Sequence, residues 1–243
     1  VVDTRPDVDL STDYHVLRGA QIIDTKGRLG LTFAEVRLAD GTERTLECGA
    51  LGVSGGWNPN VHLTCHQRGR PEWNESLAAF GPGAALPAGM TVAGAAVGAF
   101  STHGALKSGA DAARKALGLK GRAEKLPQAE DAPTNITPFW FVEGASRAWL
   151  DQQNDVTVKD VKLSHQEGFR SVEHLKRYTT LGMATDQGKT SNMGGLAIMA
   201  ELAGKTIPEV GTTIFRPPYT PTAIGVLGGR HRGQEFHPKR LTP

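Results

Sequence analysis

The strongest constraint in this sequence is that a short apolar run twice stands directly before a cluster of small residues. Residues 49–54 (Gly-Ala-Leu-Gly-Val-Ser) precede Gly55-Gly56, and residues 90–93 (Met-Thr-Val-Ala) precede Gly94-Ala95. Each run predicts a short buried strand, and glycine at a strand end lets the backbone pass close to a ligand. With 30 Gly in 243 residues and only 6% aromatics, the chain has too much glycine for a helical bundle. The pattern is typical of nucleotide-binding α/β proteins.

Charge, cysteine content and hydropathy exclude several classes of protein. A net charge of +2 indicates no nucleic-acid partner, and the most basic stretch, 216–240, reads as a solvated segment. Cys48 and Cys65 form neither a metal-ligand spacing nor a disulfide framework, so we expect no metal and a cytoplasmic location. No apolar run approaches ~18 residues, which predicts no membrane span. The chain opens on Val1-Val2-Asp3 without a methionine, and we interpret it as a piece of a longer polypeptide.

The first half of the chain contains the signals of a β-meander followed by a helix. Residues 21–24 and 31–38 flank a Lys-Gly-Arg turn, and an Asp-Gly turn leads into 42–47, which predicts three antiparallel strands. A helix is expected from about Thr102 to Leu117, with Gly118 ending it.

The second half begins with a linker and continues as helices. Residues 119–137 are rich in Lys, Glu, Gln and Pro and read as a linker or surface excursion, and 137–142 reads as an apolar strand. Three helices are then expected: one opened by a Thr157/Asp160 capping box, one opened by Ser171, and one over 192–202. After the third helix, Pro208 and the run Arg-Pro-Pro-Tyr-Thr-Pro at 216–221 force an extended path.

Three positions carry cofactor chemistry on residue grounds alone. Asp3 ends the opening strand and could accept ribose hydroxyls, although a helix cap or surface role is equally compatible with its position. Gly55-Gly56 and Gly94-Ala95 would let backbone cross close to a cofactor, the latter at a helix start where free N–H groups favour a diphosphate. Taken singly, each glycine cluster could equally be a tight β–α turn.

The order of these turns resembles the second half of the flavin/pyridine-nucleotide disulfide oxidoreductase fold. In that fold a small-Thr-Gly-x-x-Pro-Asn strand and a Gly-Asp strand return the chain to the dinucleotide domain. Ala95 stands where that family has an aspartate that holds a flavin's ribityl chain, which argues against tightly bound FAD. The chain also has no Cys-x-x-x-x-Cys redox pair.

The helical region resembles a small [2Fe–2S] domain that reads Cys-x-Cys-Glu-x-Val-Thr and later Gly-Met-Gly-x-Cys-Gln-Gly-x-x-Cys. Its four thiolate positions fall here on Asp151, Gln153, Asp186 and Ser191. None is a cysteine, so a cluster cannot be ligated. The resemblance therefore implies a kept scaffold without its metal.

The combination of these two parts resembles the alpha subunits of heterotetrameric sarcosine oxidases. The stretches that carry the resemblance are 154–160, 168–179, 186–192 and 215–219. The resemblance implies NAD in the disulfide-reductase-like part and tetrahydrofolate in a C-terminal glycine-cleavage-T-like domain outside this chain. It also implies FAD on a beta subunit, FMN at the alpha–beta interface, and gamma and delta subunits as further partners.

Carried over by position, the resemblance assigns cofactor contacts and no catalytic residue. Ala95, Phe100 and Thr102, with the turns at Gly55-Gly56 and Gly94, would line the NAD pocket. The start of the helix at 192 could hold an FMN phosphate, because it offers a cation, hydroxyl groups and backbone N–H donors. These groups belong to Lys189, Thr190, Ser191 and Asn192. The alternative is a plain N-capped helix with Ser191 or Asn192 as its cap.

We therefore expect an α/β chain of four parts. These are a partial FAD/NAD(P)-binding-like domain (1–118), a linker with a return strand (119–143), a cluster-less helical domain (144–210), and an extended segment leading to a folate domain (211–243). The expected enzyme demethylates sarcosine oxidatively to glycine, with hydrogen peroxide and methylene-tetrahydrofolate as products, and this chain is not expected to be active alone. The alternatives are a subunit of a related amine or opine dehydrogenase, or a catalytically silent nucleotide-binding docking subunit.

Overall fold

The computed structural model describes residues 1–9, 11–120, 125–132, 134–144, 146–216, 220 and 222–230. The strands are β1 (Val2–Asp3), β2 (Leu17–Arg18), β3 (Gln21–Lys26), β4 (Phe33–Arg37), β5 (Glu43–Glu47), β6 (Glu72–Asn74), β7 (Ala79–Gly81), β8 (Trp149–Asp151) and β9 (Val156–Thr157). The helices are α1 (Thr102–Ala116), α2 (Val158–Gln166), α3 (Val172–Thr179), α4 (Asn192–Ala203), α5 (Ile207–Val210) and α6 (Ile224–Gly228). Three 3-10 segments lie at His62–Arg68, Glu75–Leu77 and Gly94–Val97.

The predicted meander is confirmed. Strands β3, β4 and β5 form one antiparallel sheet in chain order, with Phe33 opposite Lys26 on one side and Glu47 on the other. The central strand places Ala34 and Val36 in the core, whereas every residue of β5 is exposed. Strand β1 pairs in parallel with β2, so the opening residues are extended as expected.

Three predicted strands are wrong. Residues 49–54, 90–93 and 137–142 contain no strand, and Val53 is 85% exposed. Apolar composition alone does not make a strand, because the backbone N–H and C=O groups must pair with a neighbour. The four sheets of the described residues are made by other segments. Phe141, from the third run, packs instead against the helical core.

The four predicted helices are confirmed. Helix α1 begins after Ser101, whose Oγ accepts a hydrogen bond from the N–H of Gly104 at 3.0 Å. Helix α2 has the predicted capping box, with the N–H and hydroxyl of Thr157 both donating to Asp160 Oδ2 at 2.7 Å. The extended path predicted at Pro208 is wrong, because Pro208 lies in the first turn of α5, where its missing N–H costs no helical hydrogen bond. After α5, residues 211–216 have no regular structure. The rest of that path, at 217–219 and 221, lies outside the described residues.

The principal hydrophobic core joins α2, α3 and α4. Its buried members are Val156, Val158, Val161, Leu175, Leu181, Ile198 and Met199. Helix α4 is buried along much of its length, which explains its nearly uniform apolar sequence. Leu181, the first residue of the segment 181–191 that leads from α3 to α4, belongs to this core.

Among the helices of the described ranges, none combines the length and the hydropathy that a membrane crossing requires.

Candidate functional site

A cavity of about 220 Å³ lies between a loop of the N-terminal half and the segment that precedes α4. Its polar atoms come mainly from the loop at Asn58–Asn60 and from Lys189 and Asn192, and an aromatic ring comes from each of Phe80 and Phe215. The remaining lining residues are Pro59, Val61, Pro71, Gly188, Met193 and Thr212. The cavity therefore joins two parts of the chain that are more than a hundred residues apart, as their numbers show.

The segment 181–191 has a tightly specified backbone. Gly182 and Gly188 adopt positive φ angles of 67° and 76°, which glycine tolerates best. A Cβ atom would lie 2.2 Å from Asn192 Oδ1 at Gly182 and 2.0 Å from it at Gly188, so the asparagine side chain occupies the space that these glycines leave. Gln187 fixes the middle of the segment, because its side chain accepts from the N–H of Arg216 at 2.9 Å and donates to its C=O at 2.7 Å.

The rim of the cavity carries positive charge. Burial lowers the pKa of His62, and the nearby charges of Lys189 and His66 lower it further. Burial also lowers the pKa of Lys176 on α3; Glu173 opposes the shift, and the charge of Arg216 adds to it. In both cases burial is the largest cause, and a neighbouring cation, Lys189 for His62 and Arg216 for Lys176, adds a smaller repulsion that a bound anion would relieve.

The four residues predicted to hold a phosphate have different environments. Lys189 and Asn192 line the cavity. Thr190 is exposed, whereas Ser191 is only 2% exposed, and its Oγ lies 3.4 Å from Asp151 Oδ2. Ser191 occupies the N-cap position of α4 but makes no capping hydrogen bond with its side chain.

None of the residues predicted to contact NAD lines this cavity. Gly55 and Gly56 are exposed and stand just before the cavity loop, and Gly56 has a φ of 90°. Gly94 begins a 3-10 segment, and its N–H donates to Ser108 Oγ at 3.1 Å. Ala95 and Thr102 are exposed, and Phe100 is half-buried. A separate open groove of about 450 Å³ lies along α1. It is lined by Thr91, Val92, Gly104, Lys107, Ser108, Asp111, Ala112 and Lys115.

Asp3, the candidate ribose ligand, is bound by its own neighbour. Its carboxylate accepts from Arg5 through the backbone N–H at 2.9 Å, through Nε at 3.0 Å and through Nη2 at 2.7 Å. The side-chain hydrogen bond from Arg5 lowers the pKa of Asp3.

The four positions that match cluster ligands include one buried carboxylate with five donors. Asp151 is 3% exposed; its Oδ1 accepts from the N–H groups of Gln153 and Asn154, each at 3.0 Å. Its Oδ2 accepts from Asn154 Nδ2 at 3.0 Å and from the N–H of Gly182 at 3.0 Å, in addition to the Ser191 hydroxyl. Burial raises the pKa of Asp151, but the donors outweigh burial and hold it below its ordinary value.

The side chain of Gln153 connects the same two parts of the chain, because its Nε2 donates to Thr185 Oγ1 at 3.2 Å. Asp186, the fourth position, is half-buried and follows Thr185 directly. Within the described ranges, no group of three or more His, Cys, Asp or Glu side chains could hold a metal ion.

Sequence reasoning missed several cavity residues. Pro71, Phe80 and Thr212 reach the cavity only through the fold, and no local pattern marks them. The sequence marked Gly55-Gly56, just before the cavity loop, but not the contact of that loop with the segment 181–191.

The family model and the relatives that match this chain all carry the name sarcosine oxidase. Residues 145–231 match the family model described as the sarcosine oxidase A3 domain. The sarcosine oxidase subunit alpha of Rhizobium meliloti (strain 1021) is 40% identical over 252 residues, covering 100% of this chain and 25% of the relative. Those of Corynebacterium sp. strains P-1 and U-96 are 38% and 37% identical, over 100% and 93% of this chain. The chain spans about a quarter of the length of these curated relatives.

A solved structure supports the fold class. The structure of L-proline dehydrogenase from P. horikoshii matches with a TM-score of 0.61 at 19% identity, covering 88% of this chain and 45% of that one. This likeness confirms the predicted α/β fold.

Proposed function

The chain belongs to the family of sarcosine oxidase alpha subunits, and we propose that it forms one wall of a flavin mononucleotide site in such an enzyme. The observation that carries the proposal is the cavity in which Lys189 and Asn192 face the Asn58–Val61 loop. The complete enzyme would demethylate sarcosine to glycine, with hydrogen peroxide and methylene-tetrahydrofolate as products. FAD on a beta subunit, tetrahydrofolate on a further domain, and gamma and delta subunits belong to the same proposal.

The size of the cavity supports a shared site. Its volume of about 220 Å³ lies below the about 300–1,000 Å³ typical of complete small-molecule pockets. It suits the phosphate and ribityl end of the flavin, and a partner subunit would supply the other walls. Bound FMN would supply the redox chemistry, whereas the residues of this chain bind and orient it.

The charges and hydrogen-bonding groups of the cavity support a phosphate. Lys189 offers an ammonium group, and Asn58, Asn60 and Thr212 offer side-chain donors to phosphate oxygens. Burial is the main cause of the lowered pKa of His62, and the repulsion by Lys189 that adds to it would be relieved by a bound anion.

The predicted NAD residues fit a diphosphate poorly. The N–H of Gly94 already donates to Ser108. At the start of α1, the Ser101 hydroxyl donates to the Asp131 carboxylate at 2.5 Å, which places a negative charge where a phosphate would lie. We keep NAD as a proposed ligand near Ala95, Phe100 and Thr102, and we assign it no phosphate contact there.

The helical part is proposed to be a [2Fe–2S]-like scaffold without its cluster. The contacts of Asp151 with Gly182 and Ser191, and of Gln153 with Thr185, support this, because they join the two segments that would carry the ligands. The proposed domain limits at 118, 143 and 210 follow from the same interpretation. The alternatives are a subunit of an amine or opine dehydrogenase and a silent docking subunit. The 37–40% identity to sarcosine oxidase alpha subunits favours the oxidase subunit over both.

The test uses the full-length alpha chain in complex with its beta partner. Phosphorus NMR separates the phosphate monoester of FMN from the diphosphates of FAD and NAD. K189M should shift the monoester resonance, whereas K107M, which removes a lysine from the groove along α1, should leave it in place. A monoester resonance that is the same in wild type and K189M would exclude Lys189 from the flavin site.

A further inference from the structure

We propose that Asp151 is a positioning residue that holds the cavity wall 181–191 in place by closing both of its ends on one carboxylate oxygen. Near the start of the segment, the N–H of Gly182 donates to Asp151 Oδ2 at 3.0 Å. At its end, the hydroxyl of Ser191 lies 3.4 Å from the same atom. Gly188 and Lys189, which line the cavity, lie between these two points.

The segment needs such a fixed point because it has little backbone pairing of its own. It is a run of turns, and inside it the N–H of Lys189 reaches the C=O of Asp186 only at 3.4 Å. The Gln187–Arg216 pair ties its middle to Arg216, which is itself exposed. Asp151, by contrast, is buried at the end of β8, which pairs with β9 directly before α2. Leu181 packs in the hydrophobic core at the start of the segment, and Asn192 Nδ2 donates to the C=O of Gln187 at 3.2 Å. Asp151 adds the contact that joins the two ends of the segment to each other.

Asp151 is suited to this role because both of its carboxylate oxygens accept hydrogen bonds. Oδ1 accepts two local N–H groups, from Gln153 and Asn154, which fix the orientation of the carboxylate. Oδ2 is then directed at the segment. Backbone N–H groups that converge on a buried carboxylate make charge-assisted hydrogen bonds, which are stronger than neutral ones. An asparagine would keep the shape but present an NH2 group to one set of donors.

This inference deepens the proposed function, because the effect on a ligand depends on the cavity holding the flavin phosphate. The alpha–beta complex is compared as wild type, D151N, S191A and N154A. S191A removes a donor that connects Asp151 to the segment, and N154A removes a donor from the loop of Asp151 itself. Hydrogen exchange followed by mass spectrometry reports on the segment, and phosphorus NMR reports on the flavin monoester.

We expect D151N to speed exchange in 181–192 by about tenfold, the factor expected for the loss of one hydrogen bond, and to shift or broaden the monoester resonance. S191A should show the same changes more weakly, and it serves as the test if D151N does not fold. N154A should change both readouts less than S191A does, because the backbone N–H groups of Gln153 and Asn154 still orient the carboxylate and the contacts from Gly182 and Ser191 remain. Exchange in 181–192 that stays at the wild-type rate in D151N and S191A would overturn the inference.

The two proposals fail in different ways. If K189M leaves the monoester unchanged while D151N speeds exchange in 181–192, the flavin assignment is wrong and the role of Asp151 stands. If K189M shifts the monoester while D151N changes neither exchange nor resonance, the flavin assignment stands and Asp151 does not position the wall.

Discussion

The Asp151 carboxylate accepts a hydrogen bond from the backbone N–H of Gly182, 31 residues further along the chain, at 3.0 Å. This contact connects the end of β8 to the segment that leads into α4, and both groups are buried. A buried carboxylate without donors would be strongly destabilising, but five donors surround this one. Asp151, at a position that the proposed resemblance aligns with a cluster ligand, is thus a buried anion with donors from both segments.

The first prediction concerns acid stability. The pKa of Asp151 lies below its ordinary value of 3.8 in the folded protein. Its contribution to stability is therefore complete above that ordinary value and is lost as the pH falls from there through the lower native pKa. D151N should cost about 1–3 kcal/mol at neutral pH through unsatisfied donors.

The measurement is urea unfolding of wild type and D151N from neutral pH down to about pH 2, the range in which carboxylates titrate. The difference in the free energy of unfolding between wild type and D151N should become smaller as the pH falls. The reason is that Asp151 loses its charge in the wild type, whereas the asparagine of the variant has none to lose. Other carboxylates with lowered pKa values, such as Asp3 and Asp160, titrate in both proteins and cancel in the difference. A difference independent of pH would contradict the charged role of Asp151.

The second prediction concerns Gly188. G188A places a Cβ 2.0 Å from Asn192 Oδ1 on a backbone with a φ of 76°. G204A is the matched control, because Gly204 has a φ of 61° and open space around its Cβ position. Left-handed backbone alone costs about 1–2 kcal/mol in either variant, and the clash should add about 1–3 kcal/mol in G188A.

Thermal unfolding of both variants measures this difference. Adding N192A to G188A should recover the part that is due to the clash, since the obstructing side chain is then absent. Equal destabilisation in G188A and G204A would show that Asn192 moves away at no cost.

Helices and turns could be predicted from the sequence because their signals are local. Thr157 and Asp160 are three residues apart and form the predicted capping box, and Ser171 caps α3 as expected. The Asp-Gly turn fixed the β4–β5 register in the same way. The strand predicted at 49–54 was wrong because a strand depends on a distant partner, which no local pattern supplies.

The candidate site could be predicted only in part, for the same reason. Lys189 and Asn192 were identified as a possible anion site from their place before a helix, and both line the cavity. The opposite wall at Asn58–Val61 lies more than a hundred residues away in the sequence, and the role of Asp151 depends on donors 31 and 40 residues distant. Such contacts follow from the packing of the whole chain and not from the spacing of residues.

The third prediction tests the capping box of α2. Asp160 Oδ2 accepts from the N–H and the hydroxyl of Thr157, which is 8% exposed, so D160A leaves buried donors unpaired. We expect D160A to lower the free energy of unfolding by about 1 kcal/mol. E209A removes the same pair of bonds from Thr206 at the exposed, four-residue helix α5, and it should have a smaller effect. Urea unfolding measures the loss in the free energy of unfolding for each variant. A larger loss in E209A than in D160A would contradict the prediction.

The fourth prediction tests whether the helical part is a cluster-less scaffold. Asp151 Oδ2 and Ser191 Oγ are 3.4 Å apart, and Gln153 Nε2 lies 3.2 Å from Thr185 Oγ1, next to Asp186. Cysteines at positions 151, 153, 186 and 191 should therefore reach one [2Fe–2S] cluster, which four thiolates ligate. Reconstitution of D151C/Q153C/D186C/S191C with iron and sulfide should give visible absorption and, after reduction, a paramagnetic resonance signal. The triple variant that retains Gln153 is the control and should hold less iron. A quadruple variant that keeps its helical circular dichroism but takes up no more iron than the control would show that the four positions do not converge.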